Sequence, residues 1–188
     1  DLVLPEVLNF GLAQVFGYFI GDGNFESRGL KFRDERIGVL EVYQGLFKQL
    51  FNVGGTISKV KDKSCYSLNV NSKEIRDFFE MLAPRILEEV GRSKDEVVRA
   101  FVKGFVDAEG HINKKRAHIT VAQKEKNILR YLQLFLLRLG VRSSIKFGIG
   151  RKKMNILRIA DRDVVDYLQI GFSAVDKQKR LLECVRHV

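Results

Sequence analysis

The sequence predicts an α+β protein built twice over, each half running helix, strands, helix, strand, strand, helix. Three observations carry this. Two strongly apolar helical stretches end alike: "FGYFIGDG" closes on Asp22 and Gly23, and "VKGFVDAEG" closes on Glu109 and Gly110. The two acids lie 87 positions apart, and Val53 and Val141, at the ends of the next helix in each copy, lie 88 apart. A fixed period of this kind marks an internal duplication. Between the helices are short stretches of two-residue alternation, such as Tyr66, Leu68 and Val70 against Ser67, Asn69 and Asn71, the pattern of a half-buried strand. The boundary falls near Gly91–Arg92, giving units 1–92 and 93–188 with no long linker, so the halves should pack together.

Each element has its own grounds. Residues 5–21 read as a helix with Pro5 tolerated in its first turn. Leu8, Leu12, Val15, Phe16, Phe19 and Ile20 keep helical rhythm, and Phe10 and Tyr18 make it apolar nearly all round, which marks a buried helix. Gly21–Gly23 should stop it. Residues 24–36, "NFESRGLKFRDER", read as a basic strand pair or one long strand, and an amphipathic helix follows over about 37–51. "GTISKVK" and "CYSLNVN" are strands around the turn "KDKS". Residues 73–90 are helical, and Pro84 predicts a kink or break there. "SKDE" reads as a capping box with Ser93 at its head, opening the helix that runs to Gly110. The strand "RAHITVAQ", a helix at about 124–139, strands "SSIKFGIG" and "MNILRIA" around "RKK", and helices at about 162–170 and 176–187 complete the second copy.

Composition narrows the function classes. A chain of 188 residues buries roughly 70% of its unfolded surface and needs neither disulfides nor structural metal for a core. Thirty-three Lys and Arg against 23 Asp and Glu leave a net charge of +10 and a pI near 9.7, which suits a polyanionic partner. Cys65 and Cys184 are far apart, and with His111, His118 and His187 they form no zinc signature. They fit a reducing compartment: the cytoplasm of a prokaryotic cell, or an organelle in a eukaryote. No stretch approaches a membrane span. The absence of a signal pattern and of an initiator Met points to a trimmed N-terminus.

Asp22 and Glu109 carry the chemistry. Each ends a helix, where the helix dipole disfavours an anion, and two helices packed side by side would bring the carboxylates together. Like charges at short range raise a pKa or call for a cation between them. Mg²⁺, which keeps waters and accepts phosphate oxygens, answers both penalties. Gly17 and Gly104 sit five residues before each acid. A mid-helix glycine costs about 1 kcal/mol against alanine, and close backbone approach is one good reason to keep it. Gly21 and Ala108, beside the acids, are small as well.

"VFGYFIGDG" (Val15–Gly23) and "VKGFVDAEG" (Val102–Gly110) resemble the two signature motifs of the LAGLIDADG homing endonucleases, and the whole chain resembles their single-chain, double-motif type, of the archaeal-like, intron-encoded kind. The first copy departs at Ile20, where the family has an acid, but the metal-binding position is kept in both. The resemblance implies two αββαββα halves, motif helices at their interface, and antiparallel β-saddles that bind DNA in the major groove. It implies a monomer that makes a metal-dependent double-strand break with short 3′ overhangs in a long asymmetric site. Mg²⁺, with Mn²⁺ able to substitute, would be held by Asp22 and Glu109 with the backbone carbonyls of Gly21 and Ala108.

By the same resemblance, Gln123 and Lys124 would order water and touch phosphate in the second half. Asp34, Glu35 and Arg36 are the alternatives for that place in the first half, where the alignment slips by one. Lys73 and Arg162 resemble the family's basic active-site residue. DNA contacts fall to Arg28, Lys31, Arg33, Lys59, Lys61, Asn69 and Asn71, and to His118, Lys146, Arg151, Lys152 and Arg158. "VDKQKRLLE" resembles a basic helix near the DNA backbone. Two alternatives share the fold: a maturase acting on its host intron RNA, and a DNA-binding regulator without catalysis. The second usually lacks the motif acids, which are intact here. An intein origin is disfavoured, because no room is left for flanking splicing blocks. Abundant Lys, Arg and Glu also suit a thermophilic source.

Overall fold

The computed structural model describes residues 2–113, 117–160 and 162–186. His187 and the first residue of "RAHITVAQ" lie outside the described residues. The first copy contains α1 (Phe10–Asp22), β1 (Gly23–Glu26), β2 (Gly29–Asp34), α2 (Ile37–Phe51), β3 (Thr56–Lys59), β4 (Tyr66–Val70), α3 (Lys73–Leu82) and α4 (Ile86–Arg92). The second contains α5 (Asp95–Glu109), β5 (Gly110–Asn113), β6 (His118–Gln123), α6 (Lys126–Arg138), β7 (Ser144–Ile149), β8 (Met154–Ala160), α7 (Arg162–Asp166) and α8 (Val175–Val185). Each copy is an α+β unit with one four-stranded antiparallel sheet, ordered β1-β2-β4-β3 and β5-β6-β8-β7.

The motif helices α1 and α5 form the seam between the sheets. A Cβ added at Gly17 would lie 2.1 Å from the Phe101 carbonyl oxygen, and one at Gly104 would lie 2.0 Å from that of Gln14. The two backbones touch at these glycines, which explains why helix-weakening residues are kept mid-helix. Around the seam the halves differ in filling. The first core is aromatic, with Phe16 stacked on Phe79 at 4.1 Å and Phe32, Phe47 and Phe51 around them. The second is mostly aliphatic, built from Val98, Leu129, Leu132, Leu136, Leu157 and Ile159.

Several boundaries differ from the sequence reading. α1 begins at Phe10 rather than at residue 5, because the Asn9 side chain caps it by accepting from the Leu12 amide at 2.9 Å. Ser93 does not head α5: Lys94 is the N-cap, and the Ser93 hydroxyl instead donates to the Glu89 carbonyl at 2.8 Å, closing α4. β5 adds a short strand directly after Glu109, so residues 24–36 and their second-half equivalents are hairpins. Pro84 breaks its helix as expected, with the 3₁₀ turn Ala83–Arg85 between α3 and α4. Gly23 and Gly110 end their helices in extended rather than left-handed conformation. They are needed for space: a Cβ at Gly23 would lie 2.2 Å from the Phe19 ring, and one at Gly110 2.4 Å from Val106.

Candidate active site

The glycine contacts continue to the acids. A Cβ on Gly21 would sit 2.8 Å from that of Ala108, so the last turns of α1 and α5 lie against each other, and Asp22 and Glu109 are the next residues out. Asp22 opens onto a cleft of about 620 Å³ that is also lined by Arg33, Asp34, Arg36, Ala108, His111 and Lys177. Glu109 is half-buried beside it. Lost hydration and then the charge of Asp34 push the Asp22 carboxyl up, while Arg33 pulls it down. Lost hydration and then the charge of Asp22 push Glu109 up to about 7, against a smaller opposing pull from Lys177. Among the described residues, neither carboxylate is held by a hydrogen bond or an ion pair.

Behind the acids lies a buried polar layer that the sequence did not disclose. Asp107, fully buried, accepts from the Tyr43 hydroxyl and the Ser173 amide, both at 2.9 Å. Asp34 accepts from the Tyr18 hydroxyl at 2.9 Å and takes both Nε and Nη2 of Arg36 at 2.7 Å. Lys177 of α8, also buried, donates to the backbone carbonyls of Val106 and Asp107. Burial, followed by the repulsion of Arg36, lowers its ammonium to about 8. One signal for Lys177 was available. Lys177, Leu181 and Cys184 share one face of α8, and a cation on an apolar stripe needs a partner.

The strand registers settle the first-half counterpart of Gln123. Gly23 pairs with Phe32, and Asp34 lies two residues beyond; Gly110 pairs with Val121, and Gln123 lies two residues beyond. The counterpart is therefore Asp34. The apparent slip arises because Glu26 pairs with Gly29 across a two-residue turn, whereas Asn113 pairs with His118 across four residues. The sites are thus unlike: an acid locked by an arginine stands where the other half has a neutral amide. The Gln123 side chain accepts from the Lys124 amide at 2.7 Å, and Asn155 fixes that corner by donating to the Lys124 carbonyl at 2.6 Å.

Lys73 and Arg162 are not brought to the acids. Lys73 follows β4 at the end where Val70 pairs with Leu30, beside the β1–β2 turn, and its neighbour Arg76 reaches the Glu26 carbonyl at 3.0 Å. Arg162 follows Ala160, which pairs with His118 beside the β5–β6 turn. Both stand at the far end of their sheets. Arg162 instead lines a separate cleft with Arg142 and Arg158.

On the sheet faces turned away from the helices, the registers align Asn24, Lys31, Asn69 and Thr56 in one row, and Arg33, Ser67 and Ser58 in the next. The second sheet aligns His111, Thr120, Arg158 and Ser144, then Ala122, Ile156 and Lys146, with His118 on the same face. Arg28, Lys61, Arg151 and Lys152 sit in the exposed turns at the sheet ends, and Asn71 just past β4. Lys59 differs: it pairs with Tyr66 and shares the face of Ile57, away from that row.

A divalent cation is compatible with the pair of acids but is not caged by them. Among the described residues no group of three or more His, Cys, Asp or Glu side chains is placed to hold a metal. Two carboxylates with adjoining carbonyls leave positions for water and phosphate, which suits Mg²⁺-type coordination. Nor, among the described residues, is any helix long and apolar enough to cross a membrane.

Comparison with known proteins fits this geometry. Residues 9–83 and 96–170 each match the family model described as LAGLIDADG-like domain. The chain is 36% identical over 94% of its length to glutamine–fructose-6-phosphate aminotransferase (isomerizing) of Methanocaldococcus jannaschii, of which it spans only 18%. It is 29% identical to the homing endonuclease I-DmoI of Desulfurococcus mucosus, over 86% of this chain and 87% of that one. The crystal structure of I-DmoI in complex with DNA and Mn superposes with a TM-score of 0.66 at 25% identity, covering 87% of this chain and 97% of the other.

Proposed function

Because the chain belongs to the LAGLIDADG-like domain family and carries that domain twice, we propose that it is a site-specific DNA endonuclease. It makes a Mg²⁺-dependent double-strand break in a long asymmetric duplex. One observation carries the reading. Two carboxylates without a described partner are forced together at the ends of helices in backbone contact, Asp22 opening onto a cleft between the two sheets and Glu109 half-buried beside it. A fold that needed no cation there would gain by replacing either acid with a neutral residue. The relation to I-DmoI, whose structures include complexes with DNA and Mn or Ca, supports the same reading.

In this mechanism Asp22 and Glu109 hold the divalent cation, with the carbonyls of Gly21 and Ala108 adjoining. When bound, the cation supplies Lewis-acid polarisation of the phosphodiester and an acidified water. The helix seam keeps the two acids at fixed separation, so that alignment is set before DNA arrives. Arg33 stands in the cleft to meet phosphate charge as it develops. Gln123 and Lys124 at their corner orient water and phosphate for one strand. Asp34, tied to Arg36, offers no such donor to the other strand, so the two cuts proceed in unlike surroundings. The outward rows of Lys31, Asn69, His118, Lys146 and Arg158 lie along the duplex, where base-edge contacts specify and phosphate contacts position. Incubating the protein and Mg²⁺ with a randomised plasmid library, then sequencing the linear products, tests the reading. One recurrent site with 3′ overhangs supports it; no cleavage with Mg²⁺ or Mn²⁺ refutes it.

A further inference from the structure

The two motif helices do not end alike. At the end of α5 the ammonium of Lys177 donates to the Asp107 carbonyl at 2.6 Å and to that of Val106 at 3.2 Å. Arg36, from the other half of the molecule, reaches the same Asp107 carbonyl at 3.4 Å while bound to Asp34 and 4.0 Å from Asp176, the neighbour of Lys177. At the end of α1 the corresponding carbonyls belong to Phe19 and Ile20. There the Gly23 amide bonds the Phe19 carbonyl, but among the described residues no cationic side chain bonds either. The register equivalent of Arg36 is Glu125, an acidic residue where the other half has a guanidinium.

Lys177 is poorly placed for an ordinary surface role. It is 8% exposed, its ammonium lies 5.5 Å from the centre of the Phe172 ring, and its helix is anchored where the Ser173 amide and hydroxyl meet Asp107 and Gln14. A cation at a helix C-terminus satisfies open carbonyls and offsets the dipole. Here the turn so fixed is the one that carries Glu109. We propose that Lys177 is a positioning residue for Glu109: by clamping the last turn of α5 it sets that carboxylate, and its loss slows the cutting of one DNA strand more than the other. This rests on the nuclease reading above.

The test compares wild type with Lys177→Met, which keeps length and removes the donor, and with Lys177→Arg, which keeps a cation. The substrate is a plasmid carrying the duplex that wild type selects from the randomised library, with each strand end-labelled. Expected for Lys177→Met is a fall of about 10- to 100-fold for one strand, a change within about twofold for the other, accumulation of nicked circles, and unchanged DNA affinity and salt slope. Lys177→Arg should recover part of the lost rate. Should Lys177→Met lose its cooperative unfolding transition, Lys177→Gln, too short to span both carbonyls, is expected to give the same bias. Hydrogen exchange without DNA provides a second readout: amides of residues 105–110 should exchange faster in Lys177→Met, and those of residues 18–23 should not. Equal slowing of both strands, or exchange unchanged at 105–110, overturns the proposal. If wild type cuts no library DNA, the nuclease reading fails, and the exchange experiment still decides whether the clamp exists.

Discussion

Substituting Gly17 with alanine puts the helix seam to a quantitative test. The added methyl carbon would stand 2.1 Å from the Phe101 carbonyl oxygen and 2.9 Å from the Phe105 amide nitrogen, where ordinary contact starts at 3.4 Å. Both obstacles are backbone of α5, which cannot rotate away, so the helices must part by about 1.3 Å at this point. Overpacking of this kind costs about 1–3 kcal/mol, and the seam lies at the upper end because no side chain can yield. Alanine returns about 1 kcal/mol of helix propensity, leaving a net loss near 2 kcal/mol. For a chain of this size that lowers Tm by roughly 4–8 °C. Parting the helices also moves Asp22 relative to Glu109, and a misplacement near 1 Å costs about 100-fold in rate. The assay pairs thermal unfolding with cleavage measured well below both transitions. Gly45→Ala in α2 is the control: nothing lies within 4 Å of its added Cβ, and it should raise stability by roughly 0.5–1 kcal/mol. A Gly17→Ala protein as stable and as active as wild type would refute the backbone contact from which the geometry of the acids is derived.

Other consequences are equally open to measurement. With the Glu109 carboxyl raised to about 7 in the folded protein against 4.5 unfolded, the unfolded chain loses its proton first as pH rises. Folding without metal therefore weakens between those values and stays weakened above them. Glu109→Gln should accordingly match wild type in stability near pH 4 and exceed it at pH 8 in chelator, as denaturant titrations at the two pH values will show. Arg36→Ala leaves Asp34 without its two charged bonds, although only 6% of that side chain is exposed. The expected loss is roughly 3 kcal/mol in urea unfolding, the low end for breaking a buried pair. Arg158→Ala, on the outward face of β8, should leave Tm unchanged and reduce the slope of log affinity against log salt by about 1.

How much of this was legible in the sequence depended on the range of the signal. The duplication, the strand alternation and the break at Pro84 are local or periodic, and they appear in the structure where they were read. The close approach at Gly17 and Gly104 was legible because a glycine inside a helix needs a reason, and the partner helix supplied it. Ser93 misled because a capping box is defined by spacing alone, and the preceding helix took its hydroxyl first. The place opposite Gln123 was obscured by two residues of hairpin length, visible only in the pairing of Glu26 with Gly29 and Asn113 with His118. Lys73 and Arg162 were carried to the acids by resemblance, whereas the registers put them at the far sheet ends. Asp107 meets Tyr43 across 64 positions of chain and Lys177 across 70. No pattern within a single helix specifies a contact of that separation.

The most direct measurement is cleavage of the selected duplex, with Mg²⁺, by wild type, Asp22→Asn and Glu109→Gln, alongside binding of the same duplex in Ca²⁺. If the paired acids are the catalytic metal site, either variant loses double-strand cleavage by at least about 10³-fold, as removal of a principal catalytic group does, while binding within a few-fold of wild type persists. Either variant cutting both strands at the wild-type rate would contradict that assignment and move the chemistry away from the helix seam.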